Sequence, residues 1–143
     1  MSDKNWKSII VDDSVAMSVL VTELLYRNDL SYDVITFKTF DAAFEYIKGI
    51  NSNKKVLAFF DYYIDNNIAT ELLAKLTSSI EYDSFIAGIL SSKLPSDKDI
   101  NEVLKCGGRF WIKKTKNIES DLKGLFLKLD SLEDRTLTFF SNI

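Results

Sequence analysis

The chain has no histidine and one cysteine, Cys106. Without imidazole there is no Ser-His-Asp or Cys-His catalysis, no histidine metal ligand and no imidazole general base. A lone cysteine permits neither an intrachain disulfide nor a cysteine zinc site. Long apolar runs are missing too. None approaches the roughly 18 residues that span a bilayer, so no membrane association is expected. The opening Met1-Ser2-Asp3-Lys4-Asn5 is polar, with no signal-peptide core behind it, and a cytoplasmic location is the default expectation. A net charge of −3 argues against nucleic-acid binding. Any chemistry must therefore use carboxylates, lysine, hydroxyls, backbone amides or a hard metal ion.

What the chain does have is apolar mass in short, bounded segments. Apolar content is 46% of 143 residues, enough for one globular domain with a sizeable core. Val56-Leu57-Ala58-Phe59-Phe60 is an unbroken apolar run closed by Asp61. Such a run suits a strand buried on both faces of a parallel sheet. Ligands of open parallel sheets sit just outside the carboxyl ends of the strands, which is where Asp61 stands. By itself, Asp61 reads more readily as a turn or cap residue, and the rest of the chain shifts that balance.

The rest alternates between strand and helix signals. Lys7–Val11 reads as a strand ending in Asp12-Asp13-Ser14, and residues 14–28 as a helix with Met17, Leu20, Val21, Leu24 and Leu25 at helical spacing. Tyr32–Phe37 reads as a second strand. A second helix opens at Thr39 or Asp41 and stops at Gly49. Residues 51–54 form a polar loop, and Asp65-Asn66-Asn67 a turn. Ile68 to Ile80 reads as a helix, Ser84–Ser91 as a fourth strand, and the helix after Pro95-Ser96 ends at Gly107-Gly108. Arg109–Lys113 is a fifth strand. Asn117 is the expected cap of a last helix with Ile118, Leu122, Leu125, Leu129 and Leu132 on one stripe. Five strands alternating with five helices predict a doubly wound α/β fold with a parallel sheet.

A parallel sheet would gather the residues at its strand ends: Asp12 and Asp13, Asp61, Ser91 and Ser92, and Lys113 and Lys114. Two carboxylates about 5 Å apart at an effective dielectric near 20 repel by roughly 3 kcal/mol. A divalent cation removes that cost, and an oxygen-only donor set favours Mg²⁺. Ser91 and Lys114 suit the negative oxygens of a phosphoryl group. The chemistry implied is a carboxylate that accepts a phosphoryl group, with metal, lysine and hydroxyl neutralising the developing charge.

Val11-Asp12-Asp13, the apolar strand ending in Asp61, Ser91-Ser92 and Gly107-Gly108-Arg109-Phe110-Trp111-Ile112-Lys113-Lys114 together resemble the receiver domain of two-component response regulators. The likeness covers about residues 7–130. It implies a flavodoxin-like (βα)5 sheet of order 2-1-3-4-5, with a receiver domain over 1–132 and a tail over 133–143 too short for an output domain. Asp61 matches the phosphoacceptor, and Asp12 and Asp13 the acidic pair holding Mg²⁺. The backbone carbonyl of Tyr63 falls at a further ligand position. Ser91 matches the switch hydroxyl, Lys114 the site lysine, and Trp111 the switch aromatic or, equally, a packed strand residue. Lys113 reads as a solvent-facing neighbour.

There are departures. Thr115 stands where relatives have proline, so that peptide is expected to be trans. Ile64-Asp65-Asn66 replaces Met-Pro-Gly, and Asn66 suits a left-handed conformation. Gly108 replaces alanine, which is expected to loosen the approach to the fifth strand. In that family the positions of Tyr63 and Lys93 flank the path of hydrolytic water, so the two residues are expected to shield an acyl phosphate.

The resemblance implies a stand-alone phosphorelay receiver, not a turnover enzyme. It would be charged by a sensor histidine kinase or histidine phosphotransfer protein and would act on a downstream protein through its fourth helix, fifth strand and fifth helix. The alternative is a pseudo-receiver that binds a partner without phosphorylation. An aspartate-nucleophile phosphatase or dehalogenase is disfavoured, because no Asp-x-Asp near the chain start and no cap insertion are found. The apolar tail, Leu137, Phe139 and Phe140, is expected to be buried on the body, in a homodimer or against a partner.

Overall fold

The computed structural model describes residues 6–50, 55–79, 85–129 and, in the backbone alone, 139–140. The loop expected at 51–54, the strand residue Ser84, and Leu132 and Leu137 lie outside the described residues.

Strands β1 (Trp6–Val11), β2 (Asp33–Phe37), β3 (Lys55–Phe60), β6 (Phe85–Ser91) and β7 (Phe110–Lys113) alternate with helices α1 (Val15–Arg27), α2 (Phe40–Lys48), α3 (Ala69–Ser79), α4 (Asp97–Lys105) and α5 (Ile118–Leu127). A short hairpin, β4 (Tyr63–Ile64) and β5 (Asn67–Ile68), follows β3, and β8 (Phe139–Phe140) is the last described element. The sheet runs β2-β1-β3-β6-β7-β8. Its first five members are the five expected strands in the expected order, all parallel. The two-residue β8 adds to the outer edge of β7, also in parallel. The tail backbone thus docks on the body.

Alternation along each strand builds two cores. Ile10, Leu57, Phe59, Leu90 and Phe110 pack with Leu24 and Leu25 of α1 and Leu122 and Leu125 of α5. Ile9, Val11, Ala58, Phe60, Ile89 and Trp111 pack with Ile47 of α2, Leu73 and Leu76 of α3 and Val103 of α4. Each fully buried Leu, Ile or Phe contributes roughly 1.5–3 kcal/mol. Helices on both faces explain why β3 carries no polar alternation.

Local chemistry sets the helix ends. Ser14 and Thr39 cap α1 and α2, each accepting a backbone N–H from its own helix. At the end of α1, Asp29 (φ 60°) turns left-handed and the Leu30 N–H reaches back to the Leu25 carbonyl. Asn117 departs from expectation. It occupies the cap position of α5 but makes no side-chain cap bond, because its backbone (φ −94°, ψ 11°) is not extended. Its N–H donates instead to Thr115 Oγ1 at 3.1 Å.

Gly108 also corrects an expectation. A Cβ there would collide with Val103 Cγ1 and crowd Leu73 Cδ1 at 3.2 Å. The missing methyl lets α3 and α4 close tightly on the start of β7; nothing is loosened. Among the described residues no peptide bond is cis, so Lys114–Thr115 is trans as expected.

Candidate functional site

The sheet delivers the expected groups to one rim. Backbone bonds continue the ladder past the strand ends: Asp12 N–H to the Phe37 carbonyl (3.0 Å), Asp61 N–H to the Val11 carbonyl (2.8 Å), and Lys114 N–H to the Ser91 carbonyl (2.8 Å). These bonds fix the loops that bear the site. Asp12, Asp13 and Asp61 each offer a carboxylate oxygen within 4.8 Å of the others.

Asp12 is 1% exposed, although it is a carboxylate. Its Oδ1 accepts the Ser14 N–H at 2.9 Å. Its Oδ2 lies 2.7 Å from Lys114 Nζ but has no well-directed hydrogen-bond donor, so the two meet as an ion pair. Lys114 also reaches Asp61 Oδ1 at 3.3 Å, and the Tyr62 N–H donates to that same oxygen at 2.9 Å. Burial pushes the Asp61 carboxyl above its ordinary value. Lys114 opposes that rise and the Asp12 carboxylate adds to it.

Hard oxygen donors of like charge, one of them deeply buried, fit a small divalent cation such as Mg²⁺. The hairpin carries the Tyr63 carbonyl, the further ligand position that the resemblance implies. The Tyr62 carbonyl accepts the Ala69 N–H at 2.9 Å. Bonded and non-bonded pairs alternate in an antiparallel ladder, so the next pair, Tyr63 and Ile68, is non-bonded and the Tyr63 carbonyl points out of the hairpin. Asp65 (φ 49°) and Asn66 (φ 65°) make its turn, with Asn66 left-handed as expected. The Tyr63 side chain is 57% exposed.

Ser91 ends β6, buried, with its Oγ accepting the Lys93 N–H at 3.1 Å. Trp111 is fully buried in β7; its indole N–H donates to the Lys93 carbonyl at 3.1 Å. Its ring lies 5.2 Å from that of Tyr62. The ammonium of Lys93 is drawn to Asp99 Oδ2 of α4, at 2.9 Å, and sits 5.0 Å from the Tyr62 ring centre. Lys113 is half-buried and pairs in register with Ser91, so it is less solvent-facing than expected.

Two residues of this neighbourhood escaped the sequence reading. Tyr62 donates its hydroxyl to Asp99 Oδ1 at 3.3 Å. Asp99 is buried at 8% exposure and closes a capping box with Ser96. The one available signal was the Ser96-x-x-Asp99 spacing, a variant of the usual Ser-x-x-Glu box.

No protein-family model and no curated protein matches the sequence. Solved structures do match. The isolated receiver (REC) domain of RcsB from Salmonella enterica serovar Typhimurium, solved in the presence of the phosphomimetic BeF3⁻, superposes with a TM-score of 0.74 at 14% identity, covering 96% of this chain and 94% of that one. A CheY-like response regulator receiver domain protein from Methanospirillum hungatei gives 0.73 at 23% identity, covering 90% and 97%. Chemotaxis protein CheY4 of Vibrio cholerae gives 0.71 at 21%, covering 83% and 94%. The fold is that of a receiver domain. At these identities the receiver fold is what is shared; the roles of its side chains rest on the geometry of this chain. Among the described residues no helix is long and apolar enough to cross a membrane.

Proposed function

We propose that this receiver fold works as a phosphorylation switch of a two-component relay. The reading rests on one observation: three carboxylates converge within 4.8 Å, and a lysine bridges two of them. Asp61 is the phosphoacceptor. An oxygen of its carboxylate attacks the phosphorus of a phosphohistidine on a sensor kinase or phosphotransfer protein. The P–O bond forms as the P–N bond breaks, and the released imidazole nitrogen keeps the electron pair and takes up a proton. Asp12, Asp13, Asp61 and the Tyr63 carbonyl would hold Mg²⁺, which when bound neutralises phosphoryl oxygens. Lys114, already 3.3 Å from Asp61, supplies a fixed positive charge to the same group. Ser91 donates its hydroxyl to a phosphoryl oxygen. Water later hydrolyses the acyl phosphate, so any catalysis concerns only the protein's own phosphorylation and dephosphorylation.

The output is a change of surface. Ser91 and Trp111 are both tied to Lys93, so a shift at one is felt at the other and at α4. The candidate docking face for a downstream protein is α4, β7 and α5.

The test is a titration with Mg²⁺ and BeF3⁻, or with a small phospho-donor, read by Trp111 fluorescence in a Trp6→Phe background. A saturable change that disappears in Asp61→Asn is expected. No binding by the unaltered protein would falsify the phosphoacceptor role.

A further inference from the structure

Lys93 is held at four points. Its N–H donates to Ser91 Oγ (3.1 Å), its carbonyl accepts from Trp111 Nε1 (3.1 Å), its ammonium pairs with Asp99 Oδ2 (2.9 Å), and that ammonium lies over the Tyr62 ring (5.0 Å). The two side-chain contacts converge on one carboxylate, because Tyr62 also donates its hydroxyl to Asp99 (3.3 Å). Tyr62 is the residue after Asp61, and its own N–H is spent on the Asp61 carboxylate (2.9 Å). Asp99 is anchored in turn by Ser96: the Ser96 N–H donates to Oδ2 (3.0 Å), and Ser96 Oγ accepts the Asp99 N–H (3.1 Å). A continuous chain of contacts therefore runs from Asp61 through Tyr62, Asp99 and Lys93 to Ser91 and Trp111.

We propose that Asp99 is a positioning residue: by gripping both Lys93 and Tyr62 it clasps the segment between β6 and α4, and with it Ser91 and Trp111, in the resting arrangement. The clasp is a property of the resting chain. Its consequence for phosphorylation rests on the phosphoacceptor reading above. Drawing Ser91 Oγ toward a phosphoryl group moves the residue whose hydroxyl the Lys93 N–H holds. The Asp99 contacts resist that movement. Releasing them destabilises the resting arrangement relative to the switched one and so raises the share of molecules that reach it.

The test uses the full chain in the Trp6→Phe background. Asp99→Asn keeps an oxygen for the Ser96 N–H but loses the charge that holds Lys93, and Lys93→Met removes the other partner. Ser96→Ala is the control: it removes the bond to the Asp99 N–H but keeps the Ser96 N–H on the Asp99 carboxylate and both contacts of that carboxylate with Lys93 and Tyr62. Acrylamide quenching of Trp111 in the unliganded protein reads the clasp without any phosphoryl mimic. Quenching is expected to rise in Asp99→Asn and in Lys93→Met, and to stay level in Ser96→Ala. In the presence of Mg²⁺, affinity for BeF3⁻ is expected to rise by up to about fivefold in each single variant, the factor a partly exposed ion pair supplies. The double variant is expected to gain no more than either single one. Unchanged quenching in Asp99→Asn, or an equal rise in Ser96→Ala, overturns the clasp whether or not BeF3⁻ binds. Raised quenching with weaker BeF3⁻ binding overturns the claim that the clasp opposes switching. If the unaltered protein takes no BeF3⁻, the phosphoacceptor reading falls and the quenching result still decides the clasp.

Discussion

On one side of Asp61 stand Asp12 and Lys114, set by backbone bonds that continue the sheet ladder and joined by a buried ion pair at 2.7 Å. On the other stand Ser91, Lys93, Asp99 and Trp111, linked one to the next by single side-chain bonds. The first side gathers like charges, and its cost is held down by one ammonium. The second side is nearly neutral in sum, because Lys93 answers Asp99. The proposed seat for a cation and a phosphoryl group has to keep its shape, and ladder bonds provide that. A coupler has to have two arrangements, and a chain of single contacts near an exposed lysine can rearrange at low cost.

Removing the proposed nucleophile separates the two sides most sharply. In Asp61→Asn, uptake of a phosphoryl group from a small donor is expected to fall by at least about 100-fold, while the tilted Tyr62–Trp111 ring contact and the Lys93–Asp99 pair persist. Labelled phosphate incorporation measures the loss. Retained incorporation would move the acceptor elsewhere.

Lys114→Met attacks the proposed cation seat directly. It leaves the Asp12 carboxylate, 1% exposed, without its partner and is expected to cost about 3 kcal/mol in chelator. Added Mg²⁺ should restore more stability to this variant than to the unaltered protein, because a dication substitutes for the ammonium. Urea unfolding with and without Mg²⁺ checks both statements, and equal Mg²⁺ stabilisation of the two proteins would argue against a shared seat.

Gly88→Ala strikes the strand that carries Ser91. A Cβ at Gly88 would enter the Phe110 ring, and Phe110 is pinned edge-on to Phe59 at 5.4 Å between centres. Overpacking is expected to cost about 1–3 kcal/mol. A loss confined to stability, with no change in BeF3⁻ affinity per folded molecule, would show that the β6 core and the coupler at its end are separable.

The smallest effect is a difference of sign with pH. Burial, aided by Asp12, raises the Asp61 carboxyl against the pull of Lys114. The native state then holds this proton more readily than the unfolded chain, so ionised Asp61 costs stability at neutral pH. That cost is relieved as pH falls through the raised value, and no difference remains below the ordinary 3.8. Asp99 runs the other way. Burial pushes it up, but the Ser96 N–H and Lys93 outweigh burial and hold it below 3.8. Its contribution is present above 3.8 and is lost as pH falls through the depressed value. In chelator, Asp61→Asn should therefore raise the thermal midpoint at neutral pH and Asp99→Asn should lower it, with the Asp61→Asn gain gone by about pH 4. Two shifts of the same sign would break the contrast.

Much of this architecture could be read along the chain because it rests on short-range chemistry. The capping serines and threonine, the apolar runs, the helical stripes and the left-handed Asn66 are properties of a few neighbouring residues. Five strand ends on one rim follow from the parallel topology, and with them the meeting of Asp12, Asp13, Asp61 and Lys114. The capping of α5 was misread because Asn117 qualifies by type, whereas its backbone follows the turn made by Thr115. Gly108 was misread because its missing Cβ matters only against Val103 and Leu73, which lie elsewhere in the sequence.

By itself, the order of residues determined a doubly wound parallel sheet with an acidic rim, because periodicity and strand-end chemistry survive without knowledge of distant neighbours. Only the folded arrangement decided that Lys93 turns to Asp99, that Tyr62 lies against Trp111, and that the tail adds a strand to β7. The last two join segments far apart in the chain, and the first crosses the turn between β6 and α4. Which long side chain reaches which partner depends on distances and burial that no local pattern encodes.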